Sequence, residues 1–185
     1  MNVAVTSKEE ILRNACAIVE KEGLPGLSMR RVAESCGVAL GSLYNYFDSK
    51  DALLAATVES VWRDIFPPRA EGEASLSFRE FVAALYYQAQ TGARRYPGFF
   101  RGHAFVFAGT AKLNAQAVMN RTLDAFKRRL LARLNADPEV RAGNFSASFT
   151  REAFVEFVFD SFLFTLSQGK PVQVLLDVIT RTIYR

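Results

Sequence analysis

Apolar residues recur at helical spacing along most of this 185-residue chain, and that periodicity limits the fold more strictly than any other feature. In the first such segment, residues 8–22, they recur every three or four positions. Ser7 before it suits a helix cap, and Gly23 after it suits a helix end. No segment alternates persistently between apolar and polar residues, so no β-sheet is expected. The sequence predicts an all-α fold of about nine helices, at residues 8–22, 28–35, 39–46, 50–66, 77–95, 98–109, 112–135, 148–168 and 171–184.

The composition favours a packed globular protein. Half of the residues are apolar and 12% are aromatic, which argues against disorder. No apolar run approaches the roughly 18 residues of a membrane span, and no basic-then-apolar leader opens the chain. We therefore expect a cytoplasmic protein with no membrane contact. The two cysteines are too few for a disulfide framework, and no Cys/His cluster has metal-ligand spacing, so neither a metal nor a cofactor is expected.

Enzymatic chemistry finds little support in the sequence. The chain has one histidine, His103, and it lacks both a glycine-rich phosphate loop and a nucleophile elbow. A catalytic role would need His103 together with a carboxylate whose proximity the sequence does not show. We predict that the protein is not an enzyme.

Residues 28–50 have the outline of a helix-turn-helix. A first short helix begins at Ser28, whose hydroxyl can accept a backbone N–H, and ends at Gly37, which suits a left-handed turn. A second helix follows, in which Leu43 and Phe47 lie four positions apart and are predicted to face the scaffold. In a helix-turn-helix, the second helix lies in the major groove of DNA.

The residues left on the outer face of the second helix fit the edges of a DNA groove. Gly41 allows close approach, Ser42 can bond to a base edge or a phosphate, and Asn45 could bind adenine through two hydrogen bonds. Tyr44 offers a ring for a thymine methyl group and a hydroxyl for a phosphate. Residues 1–50 hold six basic and six acidic side chains, so bulk charge does not exclude the alternative, an ordinary helical hairpin with a solvated face. The flanking residues suited to anchoring the DNA backbone are Ser28, Arg30, Tyr46 and Lys50.

Residues 37–50, with the sequence GVALGSLYNYFDSK, resemble the signature of the tetracycline-repressor (TetR-type) transcriptional regulators, Gly-Val-x-x-Gly-Ser/Thr-Leu-Tyr-x-x-Phe-x-x-Lys. The similarity extends over residues 8–54. Leu40 stands where that family often has a basic or polar residue, and it could contact a thymine methyl group. The resemblance implies that Ser28 and Arg30 contact the DNA backbone or base edges, and that Tyr46 and Lys50 hold phosphates. It implies that the groove is faced by Leu40, Gly41, Ser42, Tyr44 and Asn45.

The resemblance further implies that residues 1–50 form a DNA-binding domain and residues 51–185 a ligand-binding and dimerisation domain. In such a body, the last two helices pair across a two-fold axis. Independently, the predicted helix 148–168 carries phenylalanine in too many directions for one buried stripe, so a partner subunit is expected to cover part of it. The alternative is a central helix in a monomeric core. The predicted interface residues are Phe154, Phe157 and Phe162.

One further set of residues suggests a ligand pocket. Phe99, His103 and Phe107 fall on one face of a predicted helix. A pocket that they line would suit a small apolar or aromatic effector, with His103 as an orienting polar group. The plainer alternative is an ordinary core or surface role for each, because phenylalanine at helical spacing is more often core than pocket.

These features lead to a principal hypothesis and an alternative. The first is a ligand-responsive transcriptional repressor that binds a near-palindromic double-stranded DNA operator as a homodimer and is released by a small effector. The second is a small-molecule-binding or protein-interaction module whose helix-turn-helix no longer reads DNA. The balanced charge of residues 1–50 and the apolar Leu40 favour the module that does not read DNA. The signature motif favours the repressor.

Overall fold

Eight α-helices build the part of the chain that a computed structural model describes, which is residues 6–67, 72–100 and 113–185. These ranges contain no strand, so the prediction of an all-α fold is confirmed. None of the described helices combines the length and the apolar character that crossing a bilayer requires. The predicted helix at 98–109 lies, beyond its first three residues, outside the described residues. The helices are α1 (Lys8–Glu22), α2 (Met29–Cys36), α3 (Leu40–Tyr44), α4 (Lys50–Ile65), α5 (Phe78–Arg95), α6 (Leu113–Ala136), α7 (Arg151–Ser167) and α8 (Gln173–Ile183).

Hydroxyl groups cap the first turns of α1, α2 and α7. In each case the side-chain oxygen of the residue before the helix accepts a hydrogen bond from the backbone N–H three positions on. This bond satisfies one of the donors that a helix start leaves without an intrahelical partner. The predicted caps at Ser7 and Ser28 are therefore confirmed. The bonds join Ser7 to Glu10 (3.1 Å), Ser28 to Arg31 (3.3 Å) and Thr150 to Ala153 (3.1 Å).

The chain divides into two compact units, of which the first consists of Met1–Ile65 and Gly92–Thr122. Side chains from α1, α2 and α4, together with the α3 region, meet in its core. Burial of such apolar side chains is the main favourable term in the stability of the unit. Among the described residues, this core includes Ile11, Val19, Val32, Leu43, Phe47 and Leu53.

A cluster of polar side chains lies in the first unit near the end of α4. The Asp64 carboxylate accepts hydrogen bonds from the Tyr96 hydroxyl (2.9 Å) and the Arg95 guanidinium (2.6 Å). Arg95 Nε lies 3.4 Å from Glu20 Oε2 of α1. Burial, with the hydrogen bond to Asp64 as the next cause, raises the pKa of the Tyr96 hydroxyl. These four residues, the Asp64 cluster, link α1 and α4 to the end of α5.

Aromatic and close-packed contacts also join α4 to residues 92–100. Trp62 is buried, and its ring packs edge-on against Phe99 (centroids 6.2 Å apart) and Phe100 (5.9 Å). Gly92 lies so close to Ile65 that a β-carbon on Gly92 would come within 2.5 Å of Ile65 Cγ1. A side chain at position 92 would therefore displace Ile65 or separate the two helices.

The second unit consists of Phe66–Thr91 and Leu123–Arg185, and its core combines aliphatic side chains with a cluster of aromatic rings. The Phe126 ring lies 4.9 Å from that of Phe66 and 5.6 Å from that of Phe159. Tyr86 packs edge-on against Phe162, with ring centroids 5.9 Å apart. Such edge-to-face pairs add a directional preference to the free energy of apolar burial.

The N-terminus of α5 is anchored in the second unit by the buried carboxylate of Asp137. Phe78 N–H donates to Asp137 Oδ2 (2.6 Å), as does the Tyr184 hydroxyl (2.5 Å), and Glu139 N–H donates to Asp137 Oδ1 (3.0 Å). The Tyr184 oxygen accepts a hydrogen bond from Arg79 N–H (3.2 Å). These residues, the Asp137 junction, hold together the start of α5, the loop after α6 and the C-terminus.

Candidate nucleic-acid interface

The segment from α2 to α3 is held from behind by apolar packing. Val32 of α2 and Leu43 of α3 are fully buried, and Phe47, just beyond α3, is nearly so. The Lys8 ammonium lies 5.3 Å from the centre of the Phe47 ring, a cation–π distance. The prediction that Leu43 and Phe47 face the scaffold is confirmed.

Gly37 makes the turn between α2 and α3. Its φ is 67°, in the left-handed region that glycine adopts without the steric cost of a β-carbon. Gly37 N–H donates to the Glu34 carbonyl (3.1 Å), and Val38 N–H donates to the Ala33 carbonyl (3.0 Å). These bonds end α2 and turn the chain, so that α3 begins at Leu40.

Polar contacts fix α2 to the scaffold helix α1. The Arg31 guanidinium forms an ion pair with Glu22 and donates to the Gly26 carbonyl (3.3 Å). The hydrogen bond between them raises the pKa of Arg31 and lowers that of Glu22. The Ser35 hydroxyl donates to Asn14 Oδ1 (2.7 Å). Neither the Arg31–Glu22 contact nor the Ser35–Asn14 contact was predicted from the sequence, because helical periodicity does not relate residues that are so far apart in the chain.

The outer face of α3 is exposed and carries no formal charge. Leu40 and Tyr44, one helical turn apart, are 40% and 51% exposed. Asn45 is exposed directly after the helix, and Ser42 is half-buried. A β-carbon on Gly41 would meet no atom within 4 Å, so the approach to the backbone at this point is open. All five residues predicted to face a groove thus lie in α3 or directly after it, and four of them are exposed.

The tyrosine and lysine predicted to hold phosphates lie in different settings. The Tyr46 hydroxyl donates to the Thr6 carbonyl (2.5 Å), which ties the end of the α3 region to the residue before the α1 cap. This contact spans 40 positions, and the sequence offered no signal for it. Lys50 is exposed at the first residue of α4. Contact of either residue with a phosphate stays a prediction.

Two residues at the start of α2 were also predicted to anchor the DNA backbone. The Ser28 hydroxyl is half-buried and is occupied as the cap of α2. Arg30 is exposed, and its Nε lies 2.9 Å from Glu34 Oε1 on the same helix. An exposed pair of this kind contributes little to stability, so Arg30 can exchange it for another anion at low cost.

The predicted interface phenylalanines separate into two environments in the second unit. Phe154 and Phe162 are buried inside the single chain, where Phe162 packs on Tyr86. Phe157 on the same helix is 50% exposed. The other exposed large apolar residues on α7 and α8 are Phe164, Val174 and Val178.

The predicted effector residues are only partly described by the structure. Phe99 is buried in the first unit, with its ring 6.4 Å from that of Tyr96 and against Trp62. His103 and Phe107 lie outside the described residues. Their role as pocket residues stays a prediction.

Three comparisons with known proteins bear on this site. Residues 11–57 match the family model described as "Bacterial regulatory proteins, tetR family". The HTH-type transcriptional regulator BetI of Burkholderia mallei is 32% identical over 81 residues, which are 40% of this chain and 42% of BetI. The HTH-type transcriptional repressor DrrR1 of Streptomyces coeruleorubidus is 34% identical over 89 residues, which are 48% of this chain and 32% of DrrR1. The matched region therefore covers less than half the length of either relative.

The fold is similar to that of solved structures along nearly the whole chain. The crystal structure of BioQ with its double-stranded DNA operator superposes with a TM-score of 0.64. The similarity covers 96% of this chain and 99% of that one, at 18% sequence identity. At 18% identity, this structural similarity is evidence for the fold alone.

Proposed function

Since this chain belongs to the TetR-type family of bacterial regulatory proteins, we propose that it is a DNA-binding transcriptional regulator that acts as a repressor. In this proposal α3 enters the major groove of an operator, and α2 lies across the sugar–phosphate backbone. The relative DrrR1 is a transcriptional repressor, and BioQ was crystallised with its operator. Both support the assignment.

The observation that carries the proposal is that the α3 region has one buried face and one exposed face. Leu43 and Phe47 are buried against the scaffold. Leu40 and Tyr44 on the helix, and Asn45 directly after it, are exposed to solvent, and the approach to Gly41 is open. A helix that reads bases needs this combination, because its inner face must hold it rigidly while its outer face makes the contacts. Sequence would be read by the exposed residues, and phosphates would be bound by Lys50 and Arg30.

We further propose that the regulator acts as a homodimer. Phe157 and Phe164 on α7, with Val174 and Val178 on α8, are exposed in the single chain, and exposed apolar groups of this kind commonly mark an interface between proteins. A second copy that covers them would bring two α3 helices to the two halves of a near-palindromic site. Of the sequence-predicted interface residues, Phe157 belongs to this surface, whereas Phe154 and Phe162 support it from the core.

Release by a small apolar or aromatic effector completes the proposal. An effector would shift the protein from its DNA-binding state by the difference between its affinities for the two states, typically about 1–3 kcal/mol. The Asp64 cluster joins the scaffold helix α1, the helix α4 and the end of α5, so a movement of residues 95–100 would reach the DNA-binding residues through contacts already present. The protein is proposed to work by binding alone, without catalysis, in the cytoplasm where bacterial DNA lies.

The proposal is tested by selecting bound duplexes from a random pool with the full-length protein, and by titrating the enriched site across a range of salt concentrations. We expect a near-palindromic site that binds far more tightly than random DNA. Asn45→Ala should change the preferred base at one position of each half-site, whereas Lys21→Ala, an exposed control on α1, should leave it unchanged. Weak binding that salt abolishes, with no enriched site, would instead favour a module that does not read DNA.

A further inference from the structure

The exposed apolar side chains of the first unit are concentrated at one place. Among its described residues, the large apolar or aromatic side chains that are exposed are Leu40, Tyr44 and Tyr46, all within seven positions. The exposed large apolar residues elsewhere in the described chain belong to the second unit. Exposed apolar side chains that lie together on a soluble protein are typical of interaction surfaces.

Leu40 and Tyr44 form the accessible part of this patch. They lie at positions i and i+4 of α3, so their side chains are neighbours on one helical face. Gly41 adds no atom that would hold a ligand away from them. Tyr46 differs, because its hydroxyl is bonded to the Thr6 carbonyl.

The chemistry of the patch limits what it can recognise in a major groove. The Leu40 side chain has no hydrogen-bonding group, so it gains nothing from a phosphate or from a polar base edge. The apolar group that a base pair presents in the major groove is the 5-methyl group of thymine. In addition, no charged residue occurs between Glu34 and Asp48, so α3 cannot supply the arginine or lysine contact that most often selects guanine.

We propose that Leu40 and Tyr44 are specificity-determining residues that contact thymine methyl groups, so that each operator half-site has A·T pairs where α3 docks. The neighbouring Asn45 is exposed, and its amide suits the adenine edge of such a pair. This inference rests on the proposed function. It goes beyond it by naming the base and the chemical group that are read.

Replacement of thymine by deoxyuridine tests the inference, because it removes the methyl group and leaves the base-pairing edge intact. The enriched operator is synthesised with one such replacement at a time, and the Kd of each duplex is measured at fixed salt. At one or more half-site positions we expect Kd to rise about four-fold, which corresponds to the ~0.8 kcal/mol of a buried methylene group. Replacements outside the half-sites serve as the control and should leave Kd unchanged.

A double-mutant cycle assigns the contact to a residue. Leu40 is exposed, so the Leu40→Ala variant should fold normally. In this variant, deoxyuridine at the operator position that Leu40 contacts should no longer raise Kd. Leu40→Met, which keeps an apolar side chain, should retain the sensitivity, and Tyr44→Ala should abolish it at a different position.

The outcomes separate this inference from the proposed function. A site that is enriched and tightly bound, but whose Kd is insensitive to every methyl group, would overturn the inference alone. A methyl effect that persists in both Leu40→Ala and Tyr44→Ala would also overturn it, because another group would then make the contact. Failure to enrich any site would overturn the proposed function and this inference with it.

Discussion

Replacement of Asp137 by asparagine should destabilise the protein far more than a typical surface substitution. The carboxylate is 5% exposed and accepts hydrogen bonds from the backbone N–H groups of Phe78 and Glu139 and from the Tyr184 hydroxyl. It also places a negative charge at the N-terminus of α5, where the helix dipole favours it. Asparagine has nearly the same shape, but it offers one acceptor oxygen in place of two and no charge.

The magnitude follows from these bonds. A hydrogen bond to a charged group contributes about 1.5–3 kcal/mol and a neutral one about 0.5–1.5 kcal/mol. Asp137→Asn converts two charge-assisted bonds into neutral ones and loses the third, so we expect a loss of about 4–5 kcal/mol in the free energy of unfolding. Tyr184→Phe removes one bond to the carboxylate and the acceptor for Arg79 N–H, for a loss of about 2 kcal/mol. Asp124→Asn, at an exposed aspartate on α6, is the matched control and should change stability by less than about 0.5 kcal/mol.

The loss of stability in Asp137→Asn should depend on pH, because the Asp137 carboxylate of the wild type can be protonated. Burial by itself would raise the pKa of Asp137, but the hydrogen bonds from Tyr184 and the two backbone N–H groups outweigh it and hold the pKa below the ordinary 3.8. A carboxyl whose pKa is lower in the folded state stabilises the fold above its unfolded pKa, and that stability is lost as the pH falls through the folded value. The difference between wild type and Asp137→Asn should therefore be constant near neutral pH and shrink below about pH 3.8.

Urea unfolding followed by far-ultraviolet circular dichroism, at one protein concentration from pH 7 to pH 3, measures both effects. The fixed concentration matters because association into the proposed homodimer would contribute to the apparent stability. The reasoning would be refuted by an Asp137→Asn variant as stable as wild type at pH 7. A gap between the two proteins that is as large at pH 3 as at pH 7 would refute it equally.

Three further predictions concern the interface, the dimer and the packing of the first unit. Lys50→Ala should weaken binding to every duplex and reduce the slope of log K against log salt by about one, with Lys21→Ala as control; unchanged binding would remove Lys50 from the contacts. Phe157→Glu should yield monomers in sedimentation velocity, because it places a charge on the exposed apolar face, and a persistent dimer would locate the interface elsewhere. Gly92→Ala should lower the free energy of unfolding by about 1–3 kcal/mol, since its β-carbon would overlap Ile65, and unaltered urea unfolding would contradict this.

Local pattern in the sequence predicted the features that depend on neighbouring residues. The caps at Ser7 and Ser28, the turn at Gly37 and the buried positions Leu43 and Phe47 all follow from rules that act within one or two helical turns. The bounds of α2 differ from the prediction by one residue at each end, which is within the usual fraying of helix ends.

Contacts between distant residues could not be predicted in this way. The bond from Tyr46 to Thr6 spans 40 positions, and that from Phe78 to Asp137 spans 59. Periodicity likewise could not show which phenylalanines of α7 are buried within the chain and which are exposed. A helix that is apolar on most faces has the same sequence pattern whether it packs against its own chain or against a partner. Only the packing distinguishes the buried Phe154 from the exposed Phe157.

The location of Trp62 gives this protein a built-in optical reporter. It is the single tryptophan of the chain, so all indole emission comes from one site on α4, which is buried against the rings of Phe99 and Phe100. We expect a rearrangement that moves those rings to alter the wavelength or intensity of that emission. The packing of α4 against Phe99 and Phe100 can thus be followed in unlabelled protein, in real time, as DNA or a small molecule is added.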